Sequence, residues 1–161
     1  MLPEIESKIE SAGKALSSIG YTVKEVSPQE FYDFMTGEIF SKDTTILDDV
    51  LRNEYLMIHE LVEISELKKM GRTISKQVIV NLPKTVIYDV HCTAIERELE
   101  YALHKKDLAW VKNRLRQHKE SVLEGDPNLP EEIKPRAEAI FKKFRKALPH
   151  MTDERLKKSG I

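Results

Sequence analysis

The chain has 161 residues, 33% of them charged and 7% aromatic, with a formal net charge of −1. That is the size of one domain able to bury a core unaided, and the single cysteine, Cys92, excludes a disulfide framework and points to a reducing, cytoplasmic setting. No apolar run approaches the ~20 residues of a membrane span, and the opening MLPEIESKIE has neither the basic region nor the apolar core of a signal peptide.

The charge is unevenly placed. Residues 1–100 carry 11 Lys and Arg against 18 Asp and Glu, a net of −7, whereas residues 101–161 carry 15 against 9, a net of +6. The basic end is therefore a candidate anion-binding surface.

In chain order, Pro3 suits a first helical position, and Ile5, Ile9, Ala12, Leu16 and Ile19 recur at helical spacing until Gly20 ends the segment. Tyr21, Val23 and Val26 allow a loop or an isolated strand. Ser27, Pro28 and Glu30 form a capping signature for a short helix carrying Phe31, Tyr32, Phe34 and Met35, which Gly37 closes. Glu38 to Thr44 is a polar connection, after which Thr45 and Asp48 form a second capping pair.

The stretch Asp48 to Gly71 reads as one long helix, apolar almost all the way round and hence central. Val50, Leu51, Tyr55, Met57, Ile58, Leu61, Val62 and Ile64 cover a wide arc; Arg52, His59, Glu63 and Glu66 form a narrow polar strip. Glu54 falls inside the apolar arc, where a buried carboxylate needs a partner. Thr73 to Leu82 is expected as a short helix that Ser75 could cap, although Val78, Ile79 and Val80 also suit a strand.

Pro83 opens a helix that runs to His104 or Lys105, and Asp107 caps the next, with Leu108, Val111, Leu115 and Val122 inward and Gly125 at its end. Pro130, with Glu131 and Glu132, opens a last helix whose stripe is Ile133, Ala137, Ile140, Phe141, Phe144 and Leu148, and Pro149 stops it. The expected architecture is an all-α single-domain bundle of about five to seven helices around a central buried helix. It spans residues 1–149, followed by a C-terminal tail or short terminal helix over 150–161.

Two constellations carry chemistry. His59 and Glu63 are four apart, so both leave one helix face and can grip one ion or one substrate proton. On the Pro83 helix, His91 and Glu98 project between Ile87 and Ala94 on one side and Ile95 and Ala102 on the other. They stand roughly 10.5 Å apart along the axis, too far to share an ion from a straight helix. The same pattern arises from structural pairing: a satisfied core histidine, and a glutamate paired with a neighbouring Arg or Lys.

The string HELVE, His59 to Glu63, resembles the HExxH helix of zinc peptidases, in which two histidines bind zinc and the intervening glutamate is the base. Here Glu63 stands at the second histidine's position. It is also similar to the adjacent histidine and acid of HD-type phosphohydrolases, although no histidine precedes His59 to supply that family's earlier ligand. Each likeness covers about five residues, and neither assigns the chain to a family.

Together these residues predict a metal-binding protein with hydrolase chemistry. His59, Glu63, His91 and Glu98 are the candidate ligands of Zn, Mn or Fe, and Glu60 or Glu54 the base that takes a proton from ion-bound water. The substrate would be a small or phosphorylated molecule. Cys92 reads as core. Two other readings compete. Lys112, Arg116 and Lys119, with Lys142 to Lys146, can bind nucleic acid or another anion. The charge asymmetry also suits a helical interaction module or homo-oligomer.

Overall fold

The computed structural model describes residues 1–40 and 45–148. Among these it contains eight α-helices and no strand: α1 Leu2–Ser18, α2 Pro28–Met35, α3 Leu47–Leu51, α4 Glu54–Lys69, α5 Val78–Asn81, α6 Lys84–His104, α7 Leu108–Gln117 and α8 Lys134–Lys146, with a π-helical turn His118–Leu123 continuing α7. The all-α expectation holds. The tail, the stop at Pro149 and part of the Glu38 to Thr44 connection lie outside the described residues.

Local chemistry sets most boundaries. Gly20 takes φ +82° beyond α1, a conformation that favours glycine. Ser27 and Glu30 make a reciprocal capping box at α2, with Ser27 Oγ accepting from Glu30 N at 3.1 Å and Glu30 Oε1 from Ser27 N at 2.9 Å. Tyr21 to Val26 is a loop. Asp107 caps α7 by accepting from Trp110 N at 3.0 Å.

Four expectations need correction. The long central helix is broken at Arg52 and Asn53, because Asn53 Oδ1 accepts from Tyr55 N at 2.9 Å and from Leu56 N at 3.0 Å and so starts a new helix. α3 begins behind Ile46, which provides no side-chain cap. Pro130 precedes a turn over 131–133, and α8 starts only at Lys134, with Pro135 in its first turn. α7 gives way to the π-helical turn before Gly125 is reached.

The helices enclose two apolar clusters that meet along α6. One holds Ile5 and Leu16 of α1, Phe31 of α2, Val50 of α3, and Ile58, Leu61, Val62, Ile64 and Leu67 of α4, with Val90, Ala94 and Tyr101 of α6. The other holds Tyr88, Cys92, Ile95, Leu99 and Ala102 of α6, Val111 and Leu115 of α7, and Ala137, Ile140 and Phe144 of α8. α4 packs chiefly on α6 and then on α1, while α8 packs on α6, α7 and the π-helical turn. α4 and α6 thus form the spine of the bundle. His91 and Glu98 lie on α6 along the seam between the two clusters.

Candidate metal centre

His59 is the sixth residue of α4, between the buried Ile58 and the half-buried Glu60. Instead of lying on a solvated strip it is 3% exposed, pressed against α6. Its Nε2 is 3.1 Å from Glu63 Oε2 and 3.3 Å from His91 Nδ1, and His91 Nδ1 is 3.2 Å from the same Glu63 oxygen. Three potential ligand atoms thus form a nearly equilateral triangle, two from α4 and one from α6. The Glu63 and His91 side chains keep 15% and 26% of their surface exposed, so the triangle is closed behind His59 and open in front.

Glu98 lies on the other side of the His59 ring. Its carboxylate is fully buried, and Oε1 stands 2.9 Å from His59 Nδ1. Trp110 Nε1 donates to Oε2 at 2.8 Å, and Arg114 Nε lies 2.9 Å from Oε2 and 3.1 Å from Oε1. A carboxylate out of water needs this many donors to remain charged. Trp110 in turn stacks on Tyr55 at 4.7 Å between ring centroids, and Tyr55 Oη donates to the helix cap Asp107 at 2.9 Å. The orientation of Glu98 is therefore fixed from α7.

Electrostatics follows from these contacts. Burial by itself would push His59 toward the neutral form, but the Glu63 and Glu98 carboxylates override it and raise its pKa to about 10. Burial would raise Glu63, yet His59 and His91 hold it down to about 2. Burial likewise opposes ionisation of Glu98, and Arg114, His59 and Trp110 together lower its pKa. With no ion bound, His59 is an imidazolium held between two carboxylates, its Nδ1–H donating to Glu98 and its Nε2–H to Glu63.

The six residues singled out from sequence are thus dispersed in role. His59, Glu63 and His91 converge, with ligand atoms all within 4.8 Å of one another. Glu98 contacts His59 but stands behind its ring. Glu54 is exposed, in the first turn of α4, where its charge complements the helix N-terminus, and it accepts from Tyr101 Oη at 2.7 Å. The expectation of a buried Glu54 is overturned. It precedes His59 by five residues, about 140° around the helix and about 7.5 Å along it, which puts it outside the cluster. Glu60 is half-buried on the flank of Glu63, three residues before it.

Trp110, Arg114 and His118 escaped the sequence reading. Their signal was the four-residue spacing after the Asp107 cap, which puts three polar-headed side chains on one face of α7. Cys92 is buried, and burial raises its thiol to about 11, which suits a core residue. In the basic region Arg116 is exposed and Lys112 and Lys119 half-buried, while Lys143 is held by Glu96 at 3.0 Å and Glu100 at 3.5 Å on α6. No helix among the described residues is long and apolar enough to cross a membrane. No protein-family model, curated protein or solved structure matches the chain.

Proposed function

We propose that the protein binds one divalent transition-metal ion through His59 Nε2, Glu63 Oε2 and His91 Nδ1, in a reducing cytoplasmic setting, and that the bound ion supports hydrolysis. One observation carries this reading. The two contacts with Glu63 fit an ion pair, but the third side, two ring nitrogens 3.3 Å apart, is a hydrogen bond only if His91 Nδ1 accepts from His59 Nε2–H, which then sets that lone pair against the Glu63 carboxylate oxygen 3.2 Å away. A shared ion accounts for all three, since bonds of about 2.0 to 2.1 Å space tetrahedral ligands about 3.3 Å apart and octahedral ones about 3.0 Å apart.

Two imidazoles and one carboxylate suit Zn, Mn or Fe, and with five- or six-fold coordination three protein ligands leave positions for both water and substrate. Glu98 is then the outer carboxylate that fixes the His59 tautomer rather than a fourth ligand. Ion binding displaces the Nε2 proton of His59 while the Nδ1–H remains on Glu98. An ion held there would supply an activated water, and Glu60, three residues before Glu63 on α4, is the carboxylate proposed to take its proton. Glu54 has no part in this scheme. Small or phosphorylated molecules are the substrate class that such a half-open site would admit.

Elemental analysis of protein purified without an affinity tag tests the reading. About one equivalent of Zn, Mn or Fe per chain is expected, falling sharply in His59→Ala and His91→Ala. Folded protein that takes up none of these ions when they are supplied would overturn it.

A further inference from the structure

His118 is the first residue of the π-helical turn and is 2% exposed. Its Nε2 lies 2.9 Å from the Ala137 carbonyl oxygen, so Nε2 carries the proton and donates it to α8. That leaves the Nδ1 lone pair as an acceptor. Nδ1 is buried and meets no donor among the described residues. A neutral imidazole with one nitrogen tied to a backbone carbonyl and the other left open is the arrangement that metal centres use for their histidines.

The position of the ring fits that role. Trp110 and Arg114, one turn apart on α7, both reach Glu98 on α6. His118 is one further turn along the same face of α7, and His91 lies about two turns from Glu98 on α6. Continuing the α6–α7 register brings His118 to the level of His91. His118 is not one of the three residues whose ligand atoms lie within 4.8 Å of one another. A π-helical turn at this point is in keeping with the frequent use of such turns at functional sites.

We propose that His118 is a positioning residue of the metal centre, whose Nδ1 accepts a hydrogen bond from a water carried on the inner, α7-facing side of the ion. The inference rests on the metal reading above. It gives the ion two distinct non-protein positions: an inner one held by His118, and an outer one for substrate on the side where Glu63 and His91 keep their exposure. The buried acceptor, which meets no donor among the described residues, is thereby satisfied.

Side-chain nitrogen spectra of the 15N-labelled full chain, with and without zinc, test it. Zinc is expected to move His59 Nε2 and His91 Nδ1 as ligands and to move His118 Nδ1 in the direction of an accepted hydrogen bond. Movement of the first two with His118 unchanged overturns this inference and leaves the metal reading standing. If none of the three responds to excess zinc, both fall. With cadmium as the probe, scalar coupling to His118 Nδ1 would make it a ligand and overturn its outer placement.

Variants give a second measurement. His118→Phe removes the acceptor and is expected to weaken zinc about tenfold, whereas His118→Asn, which keeps an acceptor and a donor, should stay within about threefold. Unchanged zinc affinity in a folded His118→Phe protein would count against the inference. Should that variant fail to fold, the spectra of the unsubstituted chain decide.

Discussion

Glu98 Oε1 and His59 Nδ1 are 2.9 Å apart, and this contact turns the opposite nitrogen of the ring toward Glu63 and His91. His59, carried on α4, is thus held at Nδ1 by Glu98 of α6, itself fixed from α7, and turns Nε2 to Glu63 and His91. In Glu98→Gln the amide offers one acceptor where the carboxylate offered two, and its NH2 confronts Trp110 or Arg114. Zinc affinity, measured by competition with a chromogenic chelator, is expected to fall about 10- to 100-fold. Affinity equal to that of the unsubstituted protein would remove Glu98 from the centre.

Leu61 is fully buried in the α1–α4 cluster and belongs to the helix pair that holds the centre. Leu61→Ala leaves a cavity there and should destabilise by about 2 to 5 kcal/mol. Urea unfolding followed by circular dichroism measures it, and a loss under about 1 kcal/mol would mean that the site repacks.

Asn53 decides where α4 begins, because its side chain serves two of the orphan amides of the first turn. Asn53→Ala is expected to cost about 0.5 to 2 kcal/mol, with amide exchange quickening at Tyr55 and Leu56 ahead of the helix centre. Uniform exchange along α4 would contradict a local cap.

Burial lowers the pKa of His118 to about 4 from its ordinary 6.5. The unfolded chain therefore binds the extra proton first, so the stabilisation associated with the neutral ring is complete above pH 6.5 and is lost as pH falls from 6.5 through 4. His59 works in the opposite sense and only at the top of that window: its folded ring, with a pKa of about 10, is protonated throughout, while its unfolded ring gains a proton around pH 6.5, so its stabilisation rises as pH falls through 6.5 and adds no slope well below it. The loss attributable to His118 is on the order of 3 kcal/mol. Urea midpoints of the metal-free protein from pH 7 to 4 should fall accordingly, and His118→Phe, where folded, should flatten the decline between pH 6.5 and 5. An undiminished slope would assign the acid loss to the carboxylates.

The helices were legible because their signals are local. Gly20, the Ser27–Glu30 box, Pro83 and Asp107 each act within one turn of chain, so the pattern alone locates the ends they set. Spacing also picked out His59 with Glu63, and the two polar residues His91 and Glu98 on an otherwise apolar face. The break at Asn53 was concealed by apolar periodicity that continues across it, even though the cap residue was present in the sequence.

What only tertiary structure decided is which polar side chains meet. A helical wheel assigns His59 to a narrow polar strip, and nothing local reveals that α6 presents His91 and Glu98 to that strip and buries it. The same wheel puts Glu54 in the apolar arc, where the new helix start leaves it exposed beside Tyr101. Glu98 reads as a ligand in sequence because its donors, Trp110 and Arg114, come from a helix that folds back on α6 more than ten residues later. Periodicity determines the face a residue occupies, but desolvation and pairing depend on the neighbour that covers that face, which the packing of α4, α6 and α7 alone sets.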